Sequence, residues 1–234
     1  PKQFLTLQLG EGSLLQQAVR RAAEIVGGRQ NVLVVSQAQH AGLVAQQLPD
    51  LPQENVLLEP LGRNTAACIG LAALEIRKRA PEAVMAVFPA DHLFEDERPW
   101  MRAVRAAIAA ASQTGRLVAI GILPSQASTS YGYLRLGAEL GGQEGLEVYE
   151  VREYAEKPDA ARAARYVESG EYLWNTGTFA WRVTALQEAL EEHLPELTSG
   201  LEQIAADPSR LEQVYSQLPD ISIDYGVMEK ASQV

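Results

Sequence analysis

Short apolar runs separated by helical patterns limit what this chain can fold into more than any other feature. The runs occupy 32–35, 83–88 and 117–122, and 55–59, apolar between Asn55 and Glu59, reads as a further strand. A run this short, apolar at successive positions, has both faces covered, as strands of a parallel α/β sheet do. The segments between them have helical periodicity and punctuation. Ser13 is placed to cap a helix through Leu14, Leu15, Ala18, Val19, Ala22 and Ile25, which Gly27-Gly28 ends. A second helix covers 38–48, stopped by Pro49. Asn64 is placed to cap a third, with Arg77, Lys78 and Arg79 in its last turn, where cations suit the negative helix end. A fourth covers 97–113 and stops at Gly115. This order predicts a doubly wound, Rossmann-like α/β sheet with helices on both faces.

Past Pro124 the texture changes. Segments 131–136, 146–154 and 172–181 read as strands and 159–168 as a helix, which makes the sheet mixed. Residues 183–218 read as helices rich in Leu, Glu and Gln. There is no low-complexity linker and no internal repeat, so 1–234 reads as one domain.

The net charge of −10 argues against nucleic acid or an anionic membrane surface as a partner. It also means that any phosphate ligand must be held by local cations or a metal. No apolar stretch is long enough to span a bilayer. The single cysteine, Cys68, cannot form an internal disulfide, and it sits among apolar residues as a buried thiol. A reducing cytoplasm is the simplest compartment for such a chain.

In open α/β sheets, ligands bind beyond the carboxyl ends of the strands. After run 83–88 comes Pro89-Ala90-Asp91-His92. Asp91 is there either a metal or phosphate-site carboxylate or the cap of the next helix. His92 reads as a structural hydrogen-bonding residue, because hard Mg²⁺ prefers oxygen. After run 55–59 comes Pro60-Leu61-Gly62-Arg63-Asn64-Thr65. This is either an anion site built from free N–H groups and Arg63, or an ordinary capped turn. Glu156-Lys157-Pro158 offers a point charge for phosphate or a solvated ion pair. Trp174-Asn175-Thr176-Gly177 offers an amide for sugar hydroxyls or a β-bulge. No Ser-His-Asp order, CxxC pair, GxGxxG or GxxxxGK[ST] loop is present.

Taken in order, these segments resemble the sugar-nucleotide pyrophosphorylases, most closely the mannose-1-phosphate guanylyltransferases. The resemblance is carried by Pro1-Lys2-Gln3-Phe4-Leu5, by Glu59-Pro60 with Gly62-Arg63-Asn64-Thr65-Ala66, and by Pro89-Ala90-Asp91-His92. It continues through Glu156-Lys157-Pro158-Asp159 with Trp174-Asn175-Thr176-Gly177, and through Ser222-Ile223-Asp224-Tyr225 to Lys230. Tyr131-Gly132-Tyr133 adds a weaker match, with Ser130 where the family has glycine.

The resemblance implies a transferase that joins GTP and mannose 1-phosphate into GDP-mannose, with Mg²⁺ as cofactor and a homodimer as assembly. It implies that Lys2 contacts phosphate oxygens and that Arg63, Asn64 and Thr65 hold the nucleotide. Asp91 and Asp224 would coordinate Mg²⁺. Glu156 and Asn175 would bind mannose hydroxyls, Lys157 the sugar phosphate, and Gly132 the sugar through its backbone. In the family a first strand and a glycine-rich triphosphate loop precede the residue matching Pro1, and a β-helical segment often follows Lys230. Neither occurs in the sequence as it stands, so the domain reads as incomplete at both ends. Two alternatives stay open. One is transfer to another sugar 1-phosphate or from another base. The other is a non-catalytic regulatory subunit that binds GDP-mannose.

Overall fold

The computed structural model describes residues 1–6 and 12–234. The chain divides into two compact units. The first comprises Pro1–Glu75, Pro89–Met101 and Glu196–Ile221, and the second Ile76–Phe88, Arg102–Pro195 and Ser222–Val234. Two helices, α3 (Asn64–Arg79) and α4 (Arg98–Thr114), contribute residues to both.

The first unit opens on a single 3₁₀ turn, Lys2–Phe4. Helix α1 (Leu14–Val26) then starts in the way its sequence dictates. Ser13 Oγ accepts from the Gln16 N–H at 3.2 Å, and Gln16 Oε1 accepts from the Ser13 N–H at 2.8 Å. This reciprocal box satisfies two amides that the first turn leaves without helical partners. Gly27 closes the helix at φ +77°, which a Cβ would strain. Leu14, Leu15, Ala18, Val19 and Ala22 form its buried face.

Strands β1 (Val34–Gln37) and β2 (Val56–Glu59) pair in parallel, Val34 beside Val56 and Gln37 beside Glu59. They flank a 3₁₀ turn at Ala38–His40 and helix α2 (Ala41–Gln47), where the sequence predicts one helix over 38–48. Later in the chain, α7 (Pro195–Ala206) and α8 (Leu211–Tyr215) add Leu197, Leu201, Ile204, Val214 and Tyr215 to this unit's buried residues. Gly70 of α3 lets α7 come close: a Cβ there would lie 2.5 Å from Leu201 Cδ1. Cys68 lies on the same helix, and burial, with the Glu59 charge, pushes its thiol up to about 12.

The second unit is built around β7 (Tyr172–Arg182). Strand β3 (Val84–Val87) and strand β4 (Val118–Ile122) both pair antiparallel with it. Ala180 faces Ala86 and also Val118, so β7 carries partners on both edges. An apolar run reports that a strand is covered on both faces but is silent on its direction, and these two runs pair opposite to a parallel sheet. Strands β5 (Tyr133–Gln143) and β6 (Leu146–Ala155) form a long hairpin on the same sheet. Its turn residues Glu144 and Gly145 both have positive φ, the geometry that suits a tight two-residue hairpin. Helix α5 (Ala160–Ser169) is capped by Asp159 and ended by Gly170 at φ +68°. Helix α6 (Val183–His193) follows β7 directly.

Two cores hold this unit. Ala107 and Ala111 of α4 pack on Ala180 with Val84 and Val118. Tyr133, Ala155, Ala163, Tyr166, Tyr172 and Trp174 join β5, β6, β7 and α5. Among the described residues, no helix is long and apolar enough to cross a membrane.

Candidate active site

In the second unit, residues from four separate segments meet where β5, β6 and β7 are held together. Gly132 precedes β5, Glu156 and Lys157 follow β6, Asn175 lies in β7, and Asp224 begins a wide helical turn, Asp224–Met228. In that turn the Glu229 N–H donates to the Asp224 carbonyl at 2.9 Å. Asn175 is set by its backbone, whose N–H donates to the Gly132 carbonyl at 2.8 Å. Its side-chain orientation is fixed chemically: Nδ2 donates to Asp224 Oδ1 at 2.9 Å, and Oδ1 accepts from the Gly177 N–H at 2.9 Å. A carboxylate can only accept and an N–H can only donate, so the amide cannot be reversed.

Tyr154, in β6, completes the cluster. Its hydroxyl donates to Asp224 Oδ1 and accepts from Asn175 Nδ2. Burial, then the Asp224 charge, raises the Tyr154 pKa far above its ordinary value, so the phenol stays protonated. Among the described residues, Asp224 Oδ2 accepts no hydrogen bond.

Glu156 is the other carboxylate of this corner, its side chain only 11% exposed. Burial first, and then the Asp224 charge, raises its pKa, while Lys157 works against the shift. Its N–H donates to Glu229 Oε1 at 3.0 Å, and Lys157 Nζ stands 3.4 Å from its Oε1. A Cβ on Gly132 would collide with Glu156 Oε2. Glycine here therefore leaves room for that carboxylate. Lys157 has φ +47° although it is neither glycine nor asparagine, and proline follows it. Its N–H reaches the Tyr131 carbonyl at 3.3 Å. Side chains in this backbone region carry local strain of about 1–3 kcal/mol, and such strain collects at functional sites. Lys157's side chain remains 58% exposed, its charge open to an incoming anion.

Tyr154 and Glu229 belong to this corner although the motifs do not point to them. A signal for Tyr154 exists in the sequence, since it lies near the end of a strand, two residues before Glu156, a spacing that would share a face if the strand ran on. None exists for Glu229, which depends on how the turn after Asp224 closes.

The first unit holds the other expected residues. Lys2 is exposed in the opening 3₁₀ turn. Asn64 does not cap α3 from outside: it is the helix's first residue, at φ +60°, with Oδ1 accepting from the Thr65 N–H at 3.0 Å. The Ala66 N–H donates to the Ile221 carbonyl at 3.2 Å, and Arg63 Nη2 to the Ser216 carbonyl. The first amides of this turn are thus engaged within the chain. Arg63 Nε is buried without a hydrogen-bond partner among the described residues. Just before the turn, Glu59 is buried and accepts from Tyr215 Oη at 2.7 Å, and burial raises its pKa.

Asp91 is exposed on the segment between β3 and α4. It does not cap α4, because Asp96 makes the local bond instead, Oδ1 accepting from the Arg98 N–H at 3.1 Å. The Arg21 guanidinium donates to the His92 carbonyl at 3.4 Å and is buried against Phe94, Trp100 and Glu97. His92 is partly buried, which lowers its pKa, and its ring meets Phe94 edge-on. Among the described residues, no three His, Cys, Asp or Glu side chains gather to hold a metal by themselves.

A family model for nucleotidyl transferases matches residues 1–218. The chain belongs to the nucleotidyl transferase family. A mannose-1-phosphate guanylyltransferase of Escherichia coli is 38% identical over 99% of this chain and 50% of its own length. The alginate biosynthesis protein AlgA of Pseudomonas aeruginosa is 37% identical over the whole chain and 49% of its own. A Thermus thermophilus structure described as a mannose-1-phosphate geranyltransferase superposes with a TM-score of 0.89 at 38% identity, covering all of this chain and 66% of that one. This nucleotidyl transferase chain thus spans about half the length of the curated relatives it matches. The match to the Thermus structure confirms the mixed, Rossmann-like α/β fold expected from the alternating runs.

Proposed function

We propose that the protein transfers GMP from GTP to mannose 1-phosphate, giving GDP-mannose and pyrophosphate. The observation that carries this reading is the second unit's corner, where Gly132, Glu156, Lys157, Asn175 and Asp224 converge from four segments. Glu156 offers acceptors suited to sugar hydroxyls, with Asn175 beside it. Gly132 leaves the backbone open to close approach, and Lys157 holds the sugar's phosphate. Arg63, Asn64 and Thr65 in the first unit hold the nucleotide, and Lys2 contacts phosphate oxygens. Relatives named for mannose-1-phosphate guanylyl transfer, aligned over nearly all of this chain, support the choice of sugar and base.

In the reaction, a phosphate oxygen of mannose 1-phosphate attacks the α-phosphorus of GTP. The new O–P bond forms as the bond to the bridging oxygen of pyrophosphate breaks, and pyrophosphate carries that electron pair away. The nucleophile is already anionic, so no strong general base is needed. The protein's work is alignment and charge neutralisation. Lys157 steadies the attacking phosphate, Glu156 fixes the sugar ring, and the turn at Arg63 keeps the base and ribose in place.

The donor chemistry fits a hard divalent cation. Asp91 is exposed, Asp224 Oδ2 accepts no hydrogen bond among the described residues, and Mg²⁺ needs only one or two carboxylates beside substrate phosphates. Asp91 in the first unit and Asp224 in the second each offer a carboxylate for Mg²⁺, which when bound would neutralise phosphate charge. The assembly implied by the resemblance, a homodimer, is part of the same proposal.

The test is pyrophosphate release measured over four nucleotides and several sugar 1-phosphates, for the whole protein and for Asp91→Ala. GTP with mannose 1-phosphate should be the preferred pair, and Asp91→Ala should lose about 10²–10³ in rate, the usual loss for one electrostatic group. Another preferred pair, or near-normal release by Asp91→Ala at saturating Mg²⁺, would overturn the reading.

A further inference from the structure

We propose that Tyr154 is a positioning residue that presents the second oxygen of Asp224 to a divalent cation; this inference rests on the function proposed above. The carboxylate of Asp224 has two oxygens with different surroundings. Oδ1 accepts from both the Tyr154 hydroxyl and Asn175 Nδ2, while Oδ2 accepts no hydrogen bond among the described residues. Two donors on one oxygen fix the carboxylate plane, so the other oxygen points in one direction only. The donors are themselves held. Asn175 Nδ2 also donates to the Tyr154 oxygen, and Asn175 Oδ1 is fixed by the Gly177 N–H. The hydrogen bonds therefore run one way, from amide to phenol to carboxylate.

Tyr154 Oη and Asp224 Oδ1 touch each other, so they lie in nearly one direction from Asn175 Nδ2, and a single amide hydrogen is shared between them. What Asn175 can still offer a sugar hydroxyl is its other amide hydrogen and the second lone pair of Oδ1, and Glu156 is the charged acceptor on the sugar side. Removing the Tyr154 hydroxyl leaves the aromatic ring in place. It leaves Asp224 Oδ1 with one donor instead of two, the amide hydrogen of Asn175 that it now shares with the phenol. Outer partners that orient a metal's carboxylate typically alter affinity by 10–100-fold when removed.

The experiment titrates Mn²⁺ alone into the whole protein, with bound and free ion distinguished by electron paramagnetic resonance. The proteins are wild type, Tyr154→Phe and Asp224→Ala, and the thermal midpoint of each is measured in parallel. Tyr154→Phe should weaken Mn²⁺ binding about tenfold with a thermal midpoint close to wild type. Asp224→Ala should weaken it at least as much. If Asp224→Ala weakens binding and Tyr154→Phe does not, the positioning role fails while the proposed site stands. If neither variant affects Mn²⁺, the metal role of Asp224 fails, and the role of Tyr154 fails with it. Weaker binding by Tyr154→Phe with a matching large drop in thermal midpoint would mark the hydroxyl as a structural group and overturn the proposal.

Discussion

Individual residues show where the sequence is legible and where it is not. Asn64 reads as a cap because asparagine caps helices. The structure uses it for a different property of the same side chain, its tolerance of positive φ. Nothing in the sequence signals the burial of Glu59, since a glutamate ending an apolar run looks like a strand's solvated end. Its burial depends on Tyr215, 156 positions later, which closes over it with a hydrogen bond. That burial makes a testable pH effect. The folded protein raises the Glu59 pKa above its ordinary 4.5, so folding favours the protonated acid. The contribution to stability is full below about pH 4.5 and is lost as pH rises through the folded value. Glu59→Gln keeps an acceptor for Tyr215 and cannot ionise. The thermal midpoint of Glu59→Gln relative to wild type should therefore increase from about pH 4 to about pH 7. A difference that stays constant across that range would show that Glu59 ionises in the folded protein as it does in the unfolded chain.

Elements are easier to read than their pairing. Capped helices declare themselves locally, and α1 and α5 begin and end where Ser13, Gly27, Asp159 and Gly170 place them. The outer half of β5 does not, because Gly137, Gly141 and Gly142 interrupt any alternation there. That half is a strand because β6 lies beside it, a property of the hairpin and not of the segment. The junction of these two strands with β7 carries the second element-scale consequence. Gly132 brings the start of β5 against the end of β6 and the middle of β7 at once. A methyl added there collides with Glu156 Oε2 and comes within 3.3 Å of Asn175 Cβ. The carboxylate must swing out of its place, while the strand pairing beyond Tyr133 can persist. Gly132→Ala should raise KM for mannose 1-phosphate about tenfold or more and leave KM for GTP within about twofold. Steady-state kinetics with each substrate varied in turn will show this. Equal rises in both constants would mean that the glycine serves the fold of the unit and not the sugar.

At the scale of the whole molecule, the expected site residues sort by unit. Lys2, Arg63, Asn64, Thr65 and Asp91 belong to the first, and Gly132, Glu156, Lys157, Asn175 and Asp224 to the second. Nothing in the order of residues hints at this partition, because both units are assembled from pieces far apart in the chain, and helices α3 and α4 run through the boundaries. The order of motifs is readable; which of them share a compact body is not. If nucleotide and sugar are held by different units, each ligand should stabilise its own set of segments. A ligand that binds only the folded form suppresses local opening around its site. Hydrogen exchange with mannose 1-phosphate should therefore slow at 131–136, 154–157 and 222–229. GTP with Mg²⁺ should slow exchange at 62–67 and 89–92. The first set contains amides already bonded within the protein, such as those of Lys157 and Glu229, so their slowing would report reduced opening and not new contacts. Protection of 62–67 by mannose 1-phosphate with no change at 131–136 would reverse the assignment. It would place the sugar phosphate at the Arg63 turn and leave the Glu156 corner for the nucleotide.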